Sequence, residues 1–288
     1  MRRIPVLSRK QIGEIAERHL SVFRPEYLQF PQPVDVDKFA VEYLHLRQDF
    51  QYLSNSGIYL GMFVFTDSNR VEVYDEEKNE AKYIFEKADT IIIDKSLLEN
   101  GQEGRYRFTM GHEIAHSLLH RPVADPYEEY LELYYGERPA FRCSFSDRDP
   151  GAEPTEKWSD LQWQEWQADA FSSALLMPRP AVRSLTARFS RRSGGRIEAE
   201  ELIHEMARTF NVTVTAARVR LESLKVIDPQ VEVTEQMQTD EEKIVRQMRE
   251  RAQERAKSKE AEDALYDRRD MDLWNNVESA PIRRRRHR

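Results

Sequence analysis

Residues 108–120 read FTMGHEIAHSLLH, with His112 and His116 four apart and Glu113 directly after the first. On an α-helix, positions four apart lie one above the other on a single face, so the two imidazoles share one side. Zinc accepts such nitrogen ligands in a tetrahedral shell without geometric demands of its own. Glu113, one step further round, is poorly placed to bind the same ion. It can reach a water there, which is the position a general base needs. Thr109 is the expected N-cap of this helix. The motif alone also fits a surface helix carrying two ordinary histidines, so its context decides.

A catalytic zinc needs a third protein ligand and an open fourth position. His120 continues the row of histidines, but its backbone lies about 6 Å further along the axis than that of His116. A straight helix cannot bend three turns round one ion, so His120 reads as a helix-end residue that satisfies the last carbonyls. A better source is SDLQWQEWQADAFSSALLMP, residues 159–178. Ser159 and Gln162 form a capping-box signature, and Pro178 stops the helix. Glu165 and Asp169 share a face of this otherwise apolar segment, and buried carboxylates need partners. Glu165 as third ligand and Asp169 as acceptor from a ligating imidazole N–H would supply them. A helix with a solvated acidic stripe remains the alternative.

RFTMGHEIAHSLLH followed by EWQADAFSSALLMP resembles the ImmA/IrrE family of zinc metallopeptidases. The resemblance implies that His112, His116 and Glu165 hold Zn2+, that Glu113 is the catalytic base, and that Asp169 fills the family's Asn/Asp position. Ser172 stands where the family usually has alanine. The likeness runs from about Gln11 to about Ile227. The reaction it implies is metal-assisted peptide hydrolysis: limited cleavage of a protein partner, a helix-turn-helix transcriptional repressor, often encoded beside the protease on mobile elements or in stress-response loci. Two other functions stay open at this stage. One is a non-catalytic protein that sequesters a regulator on the same scaffold. The other is a DNA-binding regulator acting through residues 200–227.

The rest of the chain frames this site. With 288 residues, 40% hydrophobic and 33% charged, one or two soluble domains are expected. The net charge of −7 argues against a nonspecific nucleic-acid coat. No apolar run approaches a membrane span, so no membrane partner is expected, and the basic opening is too interrupted for a signal peptide. Cys143 is the only cysteine, which excludes an internal disulfide and makes a reducing, cytoplasmic setting the default expectation.

Apolar spacing predicts a helix over 9–23, and VDVDKFAVEYLHL predicts a second, starting near Asp35. GIYLGMFVFTD, RVEVYDE and TIIIDKS read as strands. The expected class is α+β, with a small antiparallel sheet packed on the motif-bearing helices. Residues 1–198 form the expected metallopeptidase domain, with a proline-rich insert at 121–157. Tyr127, Tyr130, Tyr134 and Tyr135 in that insert are candidate oxyanion donors.

Residues 199–228 follow as a helix-turn-helix-like region. Thr213, Thr215, Arg218 and Arg220 would face a groove if it bound DNA. The segment is sparing in basic residues, which favours a helical layer packed on the core. Residues 229–288 form a charged, partly helical or disordered tail ending in RRRRHR.

Overall fold

The computed structural model describes residues 5–55, 57, 59–99, 101–120, 158–195 and 197–228, together with the backbone of 140–144. The tail at 229–288 and the four insert tyrosines lie outside the described residues.

The first helix, α1 (Arg9–Phe23), has the bounds its periodicity predicts. Ser8 caps it: its hydroxyl accepts from Gln11 N at 3.3 Å, while Gln11 Oε1 accepts from Ser8 N at 2.9 Å. Ile12, Ala16 and Leu20 form its buried stripe. A short turn, α2 (Glu26–Gln29), leads to α3 (Val36–Lys38), where Asp35 Oδ1 accepts from Lys38 N as the sequence suggests. The chain then widens into a π-turn over Phe39–Tyr43. Phe23, Phe39 and Tyr43 pack there, with the Phe23 and Phe39 rings edge to face at 5.3 Å.

Among the described residues, six strands follow in two sheets. β1 (Arg47–Gln51), β2 (Tyr59–Val64), β5 (Thr90–Asp94) and β6 (Ala140–Ser144) build one sheet in the order β1-β5-β2-β6. β3 (Ser68–Asp75) and β4 (Glu80–Glu86) pair as a separate ribbon. The large sheet is mixed, which corrects the antiparallel expectation. β1 runs parallel to β5, with Phe50 opposite Ile93, while β2 is antiparallel to both of its neighbours. The chain inserts β5 between β1 and β2 after making the ribbon, and that order forces the parallel pair. β6 lies inside the insert that reads as irregular in sequence, where it covers the outer edge of β2.

Alternation across β5 divides two cores. Ile91 and Ile93 join the main helical core, while Ile92 turns to the other face with Met62, Val64, Val71 and Val73. The main core is bounded by α4 (Glu103–Leu119), α5 (Asp160–Leu176) and α6 (Arg179–Arg192). Helices α7 (Ala199–Phe210) and α8 (Val214–Ser223) complete it, contributing Leu202, Ile203, Met206, Phe210 and Leu221 to the same cluster. Apart from β6, which falls between α4 and α5, helices and strands lie in separate stretches of the chain, an arrangement compatible with α+β. Among the described residues no helix is long and apolar enough to cross a membrane.

α4 starts two turns earlier than its sequence suggests. Gln102 occupies its N-cap position, and Thr109 lies buried in the helix instead of capping it. The capping box at Ser159 and Gln162 is present as expected, and Pro178 ends the helix while opening α6. α7 and α8 are joined through Asn211, which takes the left-handed conformation at φ 52°. Thr213 caps α8 by accepting from Ala216 N at 3.1 Å.

Two buried arginines pin the helices to the core. Arg107 on α4 donates to Val34 O at 2.8 Å and Asn211 O at 3.0 Å. Arg220 on α8 donates to Met177 O at 3.0 Å, satisfying a carbonyl at the end of α5. Burial pushes its guanidinium down to about 10, where it still carries its charge at neutral pH. Arg220→Ala should orphan that carbonyl and leave a void, lowering unfolding stability by about 2–3 kcal/mol in denaturant titration. A change within about 0.5 kcal/mol, the range of an ordinary surface substitution, would contradict the clamp.

Candidate metal centre

α4 and α5 pack so closely that one pair of positions admits only small residues. A Cβ built on Gly111 would stand 2.5 Å from Ser172 Oγ and 3.3 Å from Ser172 Cα. The Ser172 hydroxyl settles into this contact by donating to Phe108 O at 2.8 Å. A serine in place of alanine is therefore accommodated by the α4 backbone. This approach places the facing rows of the two helices within bonding distance.

His112, His116 and Glu165 meet there, all buried, and each offers a donor atom within 4.8 Å of the others. His112 Nε2 and His116 Nε2 are 3.0 Å apart. Glu165 Oε2 is 3.7 Å from the first, and Oε1 is 3.5 Å from the second. Donors bound to one tetrahedral zinc at ordinary bond lengths would stand about 3.3 Å from one another. The observed separations bracket that spacing. Two imidazoles and one carboxylate also form a donor set that zinc takes. The trio fits, and it could hold a metal ion.

Asp169 stands where the sequence places it, beside a ligating ring. Its Oδ1 is 2.7 Å from His112 Nδ1, and its side chain is partly open to solvent while His112 is buried. Burial alone would hold His112 neutral. The Asp169 hydrogen bond and charge, helped by Glu165 and Glu113, outweigh it and raise the imidazole to about 9.

Glu113 is fully buried on α4, and its carboxylate lies against the backbone of β2. A Cβ on Gly61 would meet Glu113 Oε1 at 2.5 Å and Thr109 Cγ2 at 2.7 Å. Gly61 is thus a position beside the candidate centre that strand reading passes over. Its missing side chain is what lets the sheet approach the centre.

His120 ends α4 as expected, and its ring has further partners. Its backbone N–H closes the helix onto His116 O at 3.2 Å. Nδ1 faces His116 Nδ1 at 2.9 Å, and Nε2 faces Gln167 Oε1 at 3.2 Å. Burial pushes this imidazole down to about 4. Its spacing of four from His116 was the available signal, but its partner Gln167 comes from another helix.

Three of the four residues that would face a DNA groove are committed elsewhere. Thr213 is a helix cap, Arg218 pairs with Glu222 at 2.6 Å, and Arg220 is buried. A scan against models of known protein families matches none, and a search of curated proteins finds no relative of the chain.

Gly111→Ala should destabilise the fold by about 1–3 kcal/mol through overpacking. Because the nearest clash is with Ser172 Oγ, Gly111→Ala combined with Ser172→Ala should lose less than the separate effects predict. Strict additivity in thermal or denaturant unfolding would contradict direct contact at this pair.

Proposed function

We propose that this chain is a zinc-dependent endopeptidase making limited cuts in a protein partner. The observation that carries this reading is the convergence of His112, His116 and Glu165 from two helices, with Glu113 buried beside them. A zinc ion held by that trio supplies Lewis acidity, which acidifies a water and polarises a peptide carbonyl.

The chain's own residues do the rest. Glu113 receives the proton of the attacking water on its carboxylate and returns it to the departing amine. Asp169 accepts from the Nδ1–H of His112, fixing the ring and strengthening the opposite nitrogen as a donor. Glu165 adds a single carboxylate, so the set has three protein donors, the pattern of catalytic zinc sites and not of closed structural ones. Gly61 keeps the strand close without displacing Glu113.

The resemblance to ImmA/IrrE peptidases points to a helix-turn-helix repressor as the partner. In this reading α7 and α8, the helix-turn-helix-like pair, support the core. The burial of Arg220 and the capping role of Thr213 favour support over DNA reading.

The test is to incubate the purified, zinc-loaded chain with repressors encoded by neighbouring genes and to identify fragments by mass spectrometry. Glu113→Gln should retain its zinc and slow cleavage by about 10²–10⁴-fold, the usual worth of a general base. Cleavage at the wild-type rate by that variant would remove Glu113 from the role. Gly61→Ala should also lower the cleavage rate at unchanged zinc content, since the added methyl collides with the carboxylate. Repressor capture by the wild type without any cut would replace the peptidase reading with sequestration.

A further inference from the structure

The two candidate imidazole ligands are supported differently. His112 leans on a carboxylate, whereas His116 leans on a chain of neutral groups that leaves α4, crosses α5 and ends on the segment before α1. Each hydrogen in that chain can be placed by elementary donor and acceptor rules. Gln167 Nε2 is 2.7 Å from Pro5 O, and a carbonyl can only accept, so the amide turns its NH2 toward Pro5. Gln167 Oε1 must then face His120 Nε2, at 3.2 Å. An amide oxygen also only accepts, so His120 carries its proton on Nε2.

A neutral imidazole carries a single ring proton, so with that proton on Nε2 the Nδ1 of His120 is a lone pair. That lone pair faces His116 Nδ1 at 2.9 Å. Two facing lone pairs would repel, so His116 holds its proton on Nδ1. Its Nε2 is then an unprotonated donor, directed at the space bounded by His112 Nε2 at 3.0 Å and Glu165 Oε1 at 3.5 Å. The tautomer of a metal-binding histidine is set by the bond its other nitrogen makes. In the opposite tautomer, His116 would turn an N–H toward the cluster and could not coordinate through Nε2.

We propose that His120 and Gln167 are positioning residues that select the Nδ1–H tautomer of His116, with the Pro5 carbonyl fixing the polarity of the relay. The proposal rests on the metal-centre reading for its purpose but not for its proton positions. Those are set by Pro5, Gln167 and His120 whether or not an ion is present. His120 therefore serves the centre without binding the ion, and Gln167 is a buried polar residue of α5 with a directional task.

The test uses the full chain labelled with 15N-histidine. Long-range 1H–15N correlation on the metal-free protein should show the proton of His116 on Nδ1 and that of His120 on Nε2. His116 protonated on Nε2 alone would overturn the relay. Zinc affinity, measured by chelator competition, gives the second readout. His120→Leu removes the acceptor and should weaken binding by about 10–100-fold, as loss of a supporting partner does. His120→Gln can present an amide oxygen to His116 Nδ1–H and should keep most of the affinity. Equal weakening in both variants would reduce His120 to packing and sink the proposal. If His120→Leu does not fold, Gln167→Leu replaces it and should likewise weaken zinc binding; unchanged affinity in that variant would remove Gln167 from the relay. If the wild type takes up no divalent ion, the metal-centre reading falls, while the metal-free spectrum still decides the relay.

Discussion

The near-contact of α4 with α5 at Gly111 and Ser172 is the constraint on which the centre depends. It draws a row of histidines on one helix against a row of carboxylates and an amide on the other. Burying such groups is costly unless each finds a partner, and a larger residue at either position would hold the rows apart. The Ser172 hydroxyl would itself be a liability in this dry contact. It is tolerated because Phe108 O lies within reach. The apolar remainder of both helices then drives the association that the polar groups alone would not support.

The helices beyond the motif hold this pair from behind. Arg220 ties α8 to the end of α5, and Arg107 ties α4 both to the turn before α8 and to the segment before α3. Each guanidinium spans elements far apart in sequence by donating to main-chain carbonyls, a contact insensitive to the identity of the residue that accepts. The C-terminal helices therefore belong to the same packing unit as the motif helices, and their leucines, Met206 and Phe210 enter the same core.

Features encoded by nearby residues were legible in the chain. The bounds of α1, the helix start near Asp35 and the capping box at Ser159 all follow from spacing within a few residues. The facing of Glu165 and Asp169 toward the two histidines was legible because carboxylates on an apolar helix require partners. Features set by distant partners were less so. β1 is a polar edge strand whose only strong signal is its pairing with β5, and that pairing is parallel because of where the chain returns. β4 gives a weak signal because most of its residues are exposed, the apolar Tyr83 and Phe85 among them. Thr109 has the residue type of a cap, yet its methyl is wedged against Gly61, which no local pattern reveals. His120 is the helix terminus its position suggests, but Gln167 and Pro5, the partners its ring leads to, are invisible from its own helix.

The ribbon of β3 and β4 has its own small core, made with Leu53, Met62, Val64 and Ile92 on the sheet face turned away from the helices. Tyr83 and Phe85 project from its outer side into solvent. A reporter group attached at either aromatic position would ride on a part of the molecule whose packing is separated from the histidine cluster by a full layer of β-structure. The chain thus offers a ready handle for fluorescence or crosslinking that leaves the chemistry-bearing helices untouched.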